Sequence, residues 1–180
     1  IEDCSNSMFL TNYSLTNTAY GFPQGGSSSR SNLYRGNRAL GGFRQQYGFS
    51  FSGGMTNIGT TVLNNHSSNH YYDNYVFGGI QGGLISSNEA YTCGRYGINL
   101  DRSTNLVVSE NTVKWSTNGI LLQNGATLNL LQGNRSEENV RQGIYLTTAS
   151  SNRVFGNLVR NNGSNGIMVY QSTWPNELSS

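Results

Sequence analysis

The sequence predicts an all-β fold, a right-handed parallel β-helix solenoid of about seven coils with about 23 residues in each. Three observations predict it. An asparagine returns at steps of 23 residues, an apolar residue stands three positions before each of those asparagines, and turn residues far outnumber good helix formers. The repeat runs through nearly the whole chain, so we expect a single β-helix domain over residues 1–180.

The asparagine column is regular in its later part and more loosely spaced at its start. Its members are Asn12, Asn37, Asn65, Asn88, Asn111, Asn134 and Asn157. One coil cannot bury its own apolar face, so neighbouring coils must supply the core. Stacked amides can hydrogen-bond from coil to coil, which predicts an asparagine ladder. We expect each of these asparagines to occupy a left-handed bend position.

A second marker is a glycine followed by isoleucine, with another apolar residue two positions later. It recurs at Gly97-Ile98, Gly119-Ile120, Gly143-Ile144 and Gly166-Ile167. Apolar residues two apart lie on the same side of a strand, so these side chains should face the interior. We expect each glycine to supply a positive φ at the entry to its strand. Tyr34 and Tyr75 should also occupy inward columns.

The net charge and the cysteines limit which partners and bound groups we expect. The net charge is only +2, no basic run occurs, and no apolar stretch reaches transmembrane length, so we expect neither nucleic acid nor membrane as a partner. Cys4 and Cys93 lack metal-ligand spacing and should both be free. His66 and His70 are four residues apart, but across a bend rather than on a helix, so we predict no metal and no cofactor.

Neither end of the chain carries a recognisable solenoid cap. Open core ends need cover. We therefore expect a fragment of a longer chain, or flanking domains or further subunits, such as those of a homotrimer, over both ends.

The segments Asn152-Arg-Val-Phe-Gly-Asn157 and Asn165-Gly-Ile-Met-Val169 resemble rungs of pectin-lyase-like right-handed β-helix proteins. That superfamily includes polysaccharide lyases, uronan epimerases, glycoside hydrolases and phage tailspikes. The resemblance implies polysaccharide binding and degradation of the lyase or depolymerase type, at an extracellular or virion-associated location. The alternative is a non-catalytic β-helix, either a glycan-binding module or the structural shaft of an adhesin, tail fibre or filament.

Candidate catalytic residues follow from counting along the ladder. Positions one and three after the ladder asparagines should place five side chains on one outward strip: Arg38, His66, Glu89, Tyr91 and Lys114. Elimination or epimerisation of a uronate needs a cation for the carboxylate, a base for the C5 proton and a proton donor. Arg38 or Lys114, His66 and Tyr91 could fill these roles in that order. The competing interpretation is a solvated surface with cross-strand pairs.

The densest polar cluster supplies candidates for sugar binding, which are His70, Tyr71, Tyr72 and Asp73, together with Arg135 from the outward strip. Hydrolysis would instead need two carboxylates across a groove, and Glu89 with Asp73 is the pair to consider. The segments Tyr20–Ser31 and Leu40–Gly59 are expected to be loops that wall a cleft if they project beside His66.

Overall fold

Short parallel strands stacked coil upon coil form the whole of this computed structural model, which describes residues 2–26 and 28–179. Ile1, Ser27 and Ser180 lie outside the described residues. The predicted right-handed parallel β-helix is confirmed, with coils of about 23 residues repeating about seven times. No helix occurs in the described ranges, and hence none that could cross a membrane.

Each coil contributes to three faces, named A, B and C in chain order. Four long strands turn a corner between two faces: β6 (Tyr47–Leu63) and β8 (Tyr75–Ser86) run from face A to face B, and β9 (Glu89–Asp101) and β11 (Thr112–Gln123) run from face C to face A. The remaining strands of face A are β3 (Tyr20–Gln24), β14 (Ile144–Thr147) and β17 (Ile167–Tyr170).

The other two faces meet at the asparagine ladder. Face B also contains β1 (Met8–Leu10), β4 (Leu33–Arg35), β10 (Thr104–Ser109), β12 (Leu130–Gln132), β15 (Arg153–Phe155) and β18 (Glu177–Ser179). Face C also contains β2 (Tyr13–Leu15), β5 (Arg38–Leu40), β7 (His66–His70), β13 (Arg135–Glu137) and β16 (Leu158–Arg160).

The ladder joins faces B and C along the described chain. Asn88 is typical: its Nδ2 lies 3.0 Å from Asn111 Oδ1 and 2.9 Å from the Val62 carbonyl oxygen. Its backbone N–H donates to the same Asn111 Oδ1 at 2.9 Å. Because each buried amide is satisfied by the next coil, the ladder offsets the cost of burying it.

The backbone at this corner differs from expectation. The left-handed residue is the one before each ladder asparagine, for example Asn64, Ser87 and Glu110, with φ between 52 and 56°. The asparagine itself is free to point its amide inward. The prediction that the ladder asparagines hold the left-handed angle was therefore wrong by one position.

The glycines that precede isoleucine on face A also have another role than predicted. None of Gly97, Gly119 and Gly143 has a positive φ. A Cβ at Gly119 would instead collide with Ser136 Oγ and the Gly143 carbonyl oxygen, and a Cβ at Gly97 with Val113 Cγ1. These glycines are required because face C packs directly against their Cα atoms.

The interior is filled by columns of like side chains. Phe49 stacks between Phe22 and Tyr75 at centroid distances of 4.8 and 4.9 Å, and Phe51 stacks on Phe77 at 4.8 Å. Tyr75 is fully buried, as predicted, and so is Tyr34. Cys4 and Cys93 are both free, as predicted.

Candidate functional site

The predicted strip exists on face C. Arg38 pairs in register with His66, and His66 with Glu89. Two residues further along these strands, Ser68, Tyr91 and Lys114 follow one another on successive coils. The structure thus brings all five predicted catalytic residues onto one surface, because counting from the ladder fixes the register of the strands that directly follow it.

His66 is the centre of this strip. Its Nδ1 lies 2.9 Å from Glu89 Oε2, and its Nε2 lies 3.2 Å from Ser68 Oγ. The edge of its ring meets the Tyr91 ring at a centroid distance of 5.6 Å. Both ring nitrogens therefore have partners, and the orientation of the ring is defined by three contacts.

Lys114 forms an ion pair with the buried carboxylate of Glu137. Its Nζ lies 3.0 Å from Glu137 Oε2, while Arg135 Nε and Arg160 Nε lie 2.8 and 2.6 Å from Glu137 Oε1. Desolvation alone would raise the pKa of Glu137, but hydrogen bonds from Arg135, Lys114 and Arg160 outweigh it and lower the pKa to about 2. Lys114 and Arg135 thus both contact Glu137, and their predicted roles toward a sugar stay predictions.

Arg38 is a cation of the strip whose charge is not paired with an acidic side chain in the described part of the chain. It is exposed, and among the described residues it makes no ion pair. Its register with His66 is intact despite the longer coil in which it lies.

The polar cluster after His66 is divided between the interior and face A. His70 is buried, its Nε2 lies 3.2 Å from the Ala39 carbonyl oxygen, and burial lowers its pKa to about 4. It therefore has no direct access to a sugar, which corrects its predicted role. Tyr71 is 57% exposed, whereas Tyr72 and Asp73 lead onto face A. Glu89 and Asp73 consequently lie on different faces and do not form a carboxylate pair.

Face A carries a cleft of about 280 Å³. Its lining residues are Tyr20, Tyr47, Ser50, Ser52, Asp73, Val76, Arg95, Asn99, Asp101 and Gln123. Tyr20 and Tyr47 belong to the segments predicted to be loops. The structure instead has residues 20–24 in β3 and residues 47–59 in β6, and the face A parts of both strands pair with each other rather than lying beside His66.

Asp73 forms the acidic floor of the cleft. Asn99 Nδ2 donates to its Oδ2 at 3.1 Å, and the Tyr96 backbone N–H donates to its Oδ1 at 3.3 Å. Burial raises the pKa of Asp73 to about 6, although both hydrogen bonds and the charge of Arg95 oppose the shift. A carboxyl group with a pKa near neutrality can both accept and release a proton under ordinary conditions.

Arg95 supplies the positive charge of the cleft. Its guanidinium lies over the Tyr72 and Tyr96 rings at 5.4 and 4.9 Å from their centroids. Stacking on two rings holds the group in place without neutralising it. In the described part of the chain Arg95 forms no ion pair within 4.0 Å. It is therefore available to an anionic ligand.

A column of tyrosines walls one side of the cleft. Tyr20 stacks on Tyr47 at 5.4 Å, and Tyr47 leans on Tyr72 at 5.5 Å. Burial and then the nearby Asp73 carboxylate raise the pKa of Tyr47, so its hydroxyl stays protonated. Rigid aromatic rings with a polar tip are suited to contact sugar rings.

A second depression of about 520 Å³ adjoins the cleft through Ser52. It is lined by Arg102, Asn124 and four glycines in addition to Ser52. Arg102 Nε lies 2.9 Å from Asp101 Oδ1, and its side chain is 73% exposed.

The cleft was largely missed from sequence. Asp73 and Tyr72 were predicted to bind sugar, but Arg95 and Asn99 were not singled out. Asp73 and Asn99 are 26 residues apart in sequence, so they lie on adjacent coils and their side chains meet on face A. A count of residues around the full coil, rather than forward from the ladder alone, was the signal that could have found them.

Family models identify the relatives of the chain. The family described as "Periplasmic copper-binding protein (NosD)" matches residues 55–180, well over half of the sequence. The chain belongs to the NosD family. No curated protein matches this NosD-family chain.

Solved structures share its fold at low sequence identity. The periplasmic alginate epimerase AlgG aligns with a TM-score of 0.90 at 19% identity, covering 99% of this chain and 45% of AlgG. The Azotobacter vinelandii mannuronan C-5 epimerase AlgE4 A-module gives a TM-score of 0.68 at 16% identity, covering 97% of this chain and 55% of the module. Tailspike protein 2 of bacteriophage CBA120 gives 0.65 at 14%, covering 93% and 32%. The NosD-family chain thus spans about half, or less, of each neighbour.

The family description raises the question of copper, and the side chains do not fit it. The described residues contain no group of three or more His, Cys, Asp or Glu side chains that could hold a metal ion. His66 has both nitrogens engaged with Glu89 and Ser68, and the buried Cys93 thiol donates to Ser116 Oγ at 3.2 Å. Copper centres need several converging nitrogen or sulfur donors. The described side chains therefore do not form a copper centre.

Proposed function

We propose that this NosD-family chain processes an acidic polysaccharide in the face A cleft, by removing a proton next to a uronate carboxylate. The observation that carries the proposal is the pairing of Arg95, a stacked and unneutralised cation, with Asp73, a buried carboxyl group whose pKa is raised to about 6. The epimerase and tailspike neighbours on the same fold support it as analogy.

Each chemical requirement has a residue in the cleft. Arg95 neutralises the uronate carboxylate, which lowers the energy of the carbanion that forms when the C5 proton leaves. Asp73 is only 1% exposed at the floor of the cleft, so, ionised above its pKa of about 6 and held by Asn99, it accepts that proton through one intervening water. Tyr47, which stays protonated, donates a proton to the glycosidic oxygen in elimination or to the opposite face of C5 in epimerisation.

A second candidate function is glycan binding without chemistry. The tyrosine wall of Tyr20, Tyr47 and Tyr72 favours it, because stacked rings can hold a sugar whether or not a bond is broken. A structural shaft has less support, since it has no need of a cleft with an unneutralised cation.

The location follows from the same relatives. AlgG is named a periplasmic epimerase, the NosD description is also periplasmic, and the tailspikes belong to virions. We infer that this chain acts outside the cytoplasm, in the periplasm or the extracellular space, where acidic polysaccharides are handled.

The test is an incubation of the protein with a panel of uronic-acid polymers in deuterated water. Ultraviolet absorbance follows unsaturated product, and NMR follows deuterium at C5. We expect deuterium incorporation or unsaturation that is lost in Asp73→Asn and Arg95→Gln but retained in Glu89→Gln, which alters face C. If the protein binds the polymer but forms neither product, it is a glycan-binding protein instead. If it neither binds nor changes the polymer, the proposal is rejected.

A further inference from the structure

The His66 contacts on face C have the connectivity of an acyl-transfer triad. Ser68 Oγ lies 3.2 Å from His66 Nε2, and His66 Nδ1 lies 2.9 Å from Glu89 Oε2. Such triads are recognised by geometry and role rather than by position in the sequence. A hydroxyl, an imidazole and a carboxylate in this order are the parts of an activated serine nucleophile.

The strand places the three groups without distortion of the fold. His66 and Ser68 are two residues apart on β7, so both side chains project on the same side of face C. Glu89 lies directly opposite His66 on the next coil, in register. The Tyr91 ring, opposite Ser68, meets the edge of the imidazole and limits its rotation.

Exposure limits the size of the acyl group. The Ser68 residue is 7% exposed, whereas the side chains of His66 and Glu89 are 20 and 52% exposed. Ser68 lies between Leu40 and Tyr91 on the neighbouring coils. Because so little of Ser68 is exposed, we expect a short acyl group such as acetyl rather than a long acyl chain.

A cation is available for the oxyanion. Arg38 stands one coil from His66, is exposed, and has no ion-pair partner among the described residues. Arg38 lies diagonally across from Ser68 on the adjacent strand, and a cation there would stabilise the negative charge that develops on the carbonyl oxygen of the ester.

We propose that Ser68, His66 and Glu89 form a second catalytic site, independent of the face A cleft, which hydrolyses short acyl esters such as acetyl groups on sugar hydroxyls. Ser68 Oγ attacks the ester carbon while its proton passes to His66 Nε2. The carbon–oxygen bond to the alcohol breaks, and the alcohol takes the proton from His66. Water then gives a proton to His66 Nε2 and attacks the acyl carbon; the carbon–oxygen bond to Ser68 breaks, the acid leaves, and Ser68 Oγ takes the proton back from His66.

The experiment uses the whole chain, p-nitrophenyl acetate and a fluorophosphonate probe. We expect nitrophenol release and covalent labelling at Ser68, located by peptide mass spectrometry. Ser68→Ala removes the nucleophile, so it should abolish labelling and lower the rate by at least about 100-fold. Glu89→Gln should lower the rate by about 10-fold or more while leaving Ser68 reactive. The matched control is Ser109→Ala, a buried serine bonded to Ser86 and remote from histidine.

Circular dichroism and thermal melting confirm that the variants fold. If folded wild-type protein is not labelled at Ser68, or if Ser68→Ala hydrolyses the ester at the wild-type rate, the second site does not exist. Deuterium exchange into uronates should be unchanged in Ser68→Ala. Failure of the esterase site and failure of the cleft proposal are therefore observed separately.

Discussion

His70 and Asp73 lie three residues apart, both are buried, and burial moves their pKa values in opposite directions. The pKa of His70 falls from 6.5 to about 4, and that of Asp73 rises from 3.8 to about 6. Each shift corresponds to about 3 kcal/mol between the two protonation states. The chain thus carries two opposed titrations within one bend.

The consequences for stability have opposite signs. As pH falls from 6.5 toward 4, the unfolded chain protonates its histidine while folded His70 resists, so the free energy of unfolding decreases. As pH falls from 6 toward 3.8, folded Asp73 takes up a proton before the unfolded chain does, so the free energy of unfolding increases. In the wild-type protein these two contributions nearly cancel.

Substitution of either residue should therefore reveal the pH dependence that the other residue contributes to the free energy of unfolding. We expect Asp73→Asn to lose up to about 3 kcal/mol of unfolding free energy between pH 6.5 and 4, and His70→Asn to gain a similar amount. Asparagine is a natural choice at position 70, since Asn139 and Asn162 occupy the same column of the interior. Urea denaturation at several pH values measures both slopes. Equal slopes in the two variants would contradict the opposed titrations.

Arg95 should be decisive for acidic polymers. Arg95→Gln keeps a planar polar group over Tyr72 but removes the charge, and a charge-assisted hydrogen bond contributes about 1.5–3 kcal/mol. We expect kcat/KM toward a uronate polymer to fall by about 10- to 100-fold. Arg102→Gln, at the neighbouring depression, serves as control and should affect affinity less. A neutral polysaccharide bound equally by wild type and Arg95→Gln would localise the effect to the carboxylate.

The ion pairs of Glu137 with its three neighbouring cations should persist to low pH. Its pKa is lowered to about 2, so its stabilising contribution is complete above pH 4.5 and is lost as pH falls toward 2. We expect Glu137→Gln to lower Tm at pH 7 more than Glu138→Gln does, because Lys114, Arg135 and Arg160 would then repel one another. Added salt should partly restore Tm by screening this repulsion. Equal effects of both substitutions would show that the cluster is not cooperative.

A gap in the asparagine ladder should cost more than one hydrogen bond. Asn111→Ala removes the donors to Ile85 and Asn134 and leaves the Asn88 N–H groups without their acceptor. Each buried polar group left unpaired costs about 1–3 kcal/mol, so we expect a loss of about 2–5 kcal/mol by chemical denaturation. Asn165→Ala, at an exposed position, is the control and should change stability by less than about 0.5 kcal/mol.

Gly119 should tolerate no side chain. An added Cβ would meet Ser136 Oγ and the Gly143 carbonyl oxygen, so faces A and C would have to separate. We expect Gly119→Ala to destabilise the fold by about 1–3 kcal/mol or more, as overpacking does. Gly78→Ala is the matched control, because its Cβ would lie 3.6 Å from the Phe51 carbonyl oxygen, an ordinary contact. A small, equal effect in both would contradict the close approach of the two faces.

The sequence allowed the coil, the ladder and the face C strip to be predicted, because all three depend on a fixed count from Asn65, Asn88 and Asn111. Face A lies beyond the corner that follows face C, whose length changes from coil to coil, and a forward count loses register there. Arg95 and Asp73 therefore could not be placed together. The same count also places Glu137 opposite Lys114, since both lie three positions after a ladder asparagine, but spacing alone does not show that Lys114 and Arg135 both pair with Glu137.

The ladder has an evolutionary consequence. Between the coil that starts at Asn37 and the next one, the pairing offset is 28 residues at Arg38–His66, 26 at Phe49–Tyr75 and 23 at Thr61–Leu84. All the extra residues thus enter at the two corners that flank face A, and none enters at the asparagine corner. Insertions can therefore reshape the rim of the cleft while the register of the stack is preserved. The same scaffold can in this way acquire new substrate preferences by changes in corner length alone.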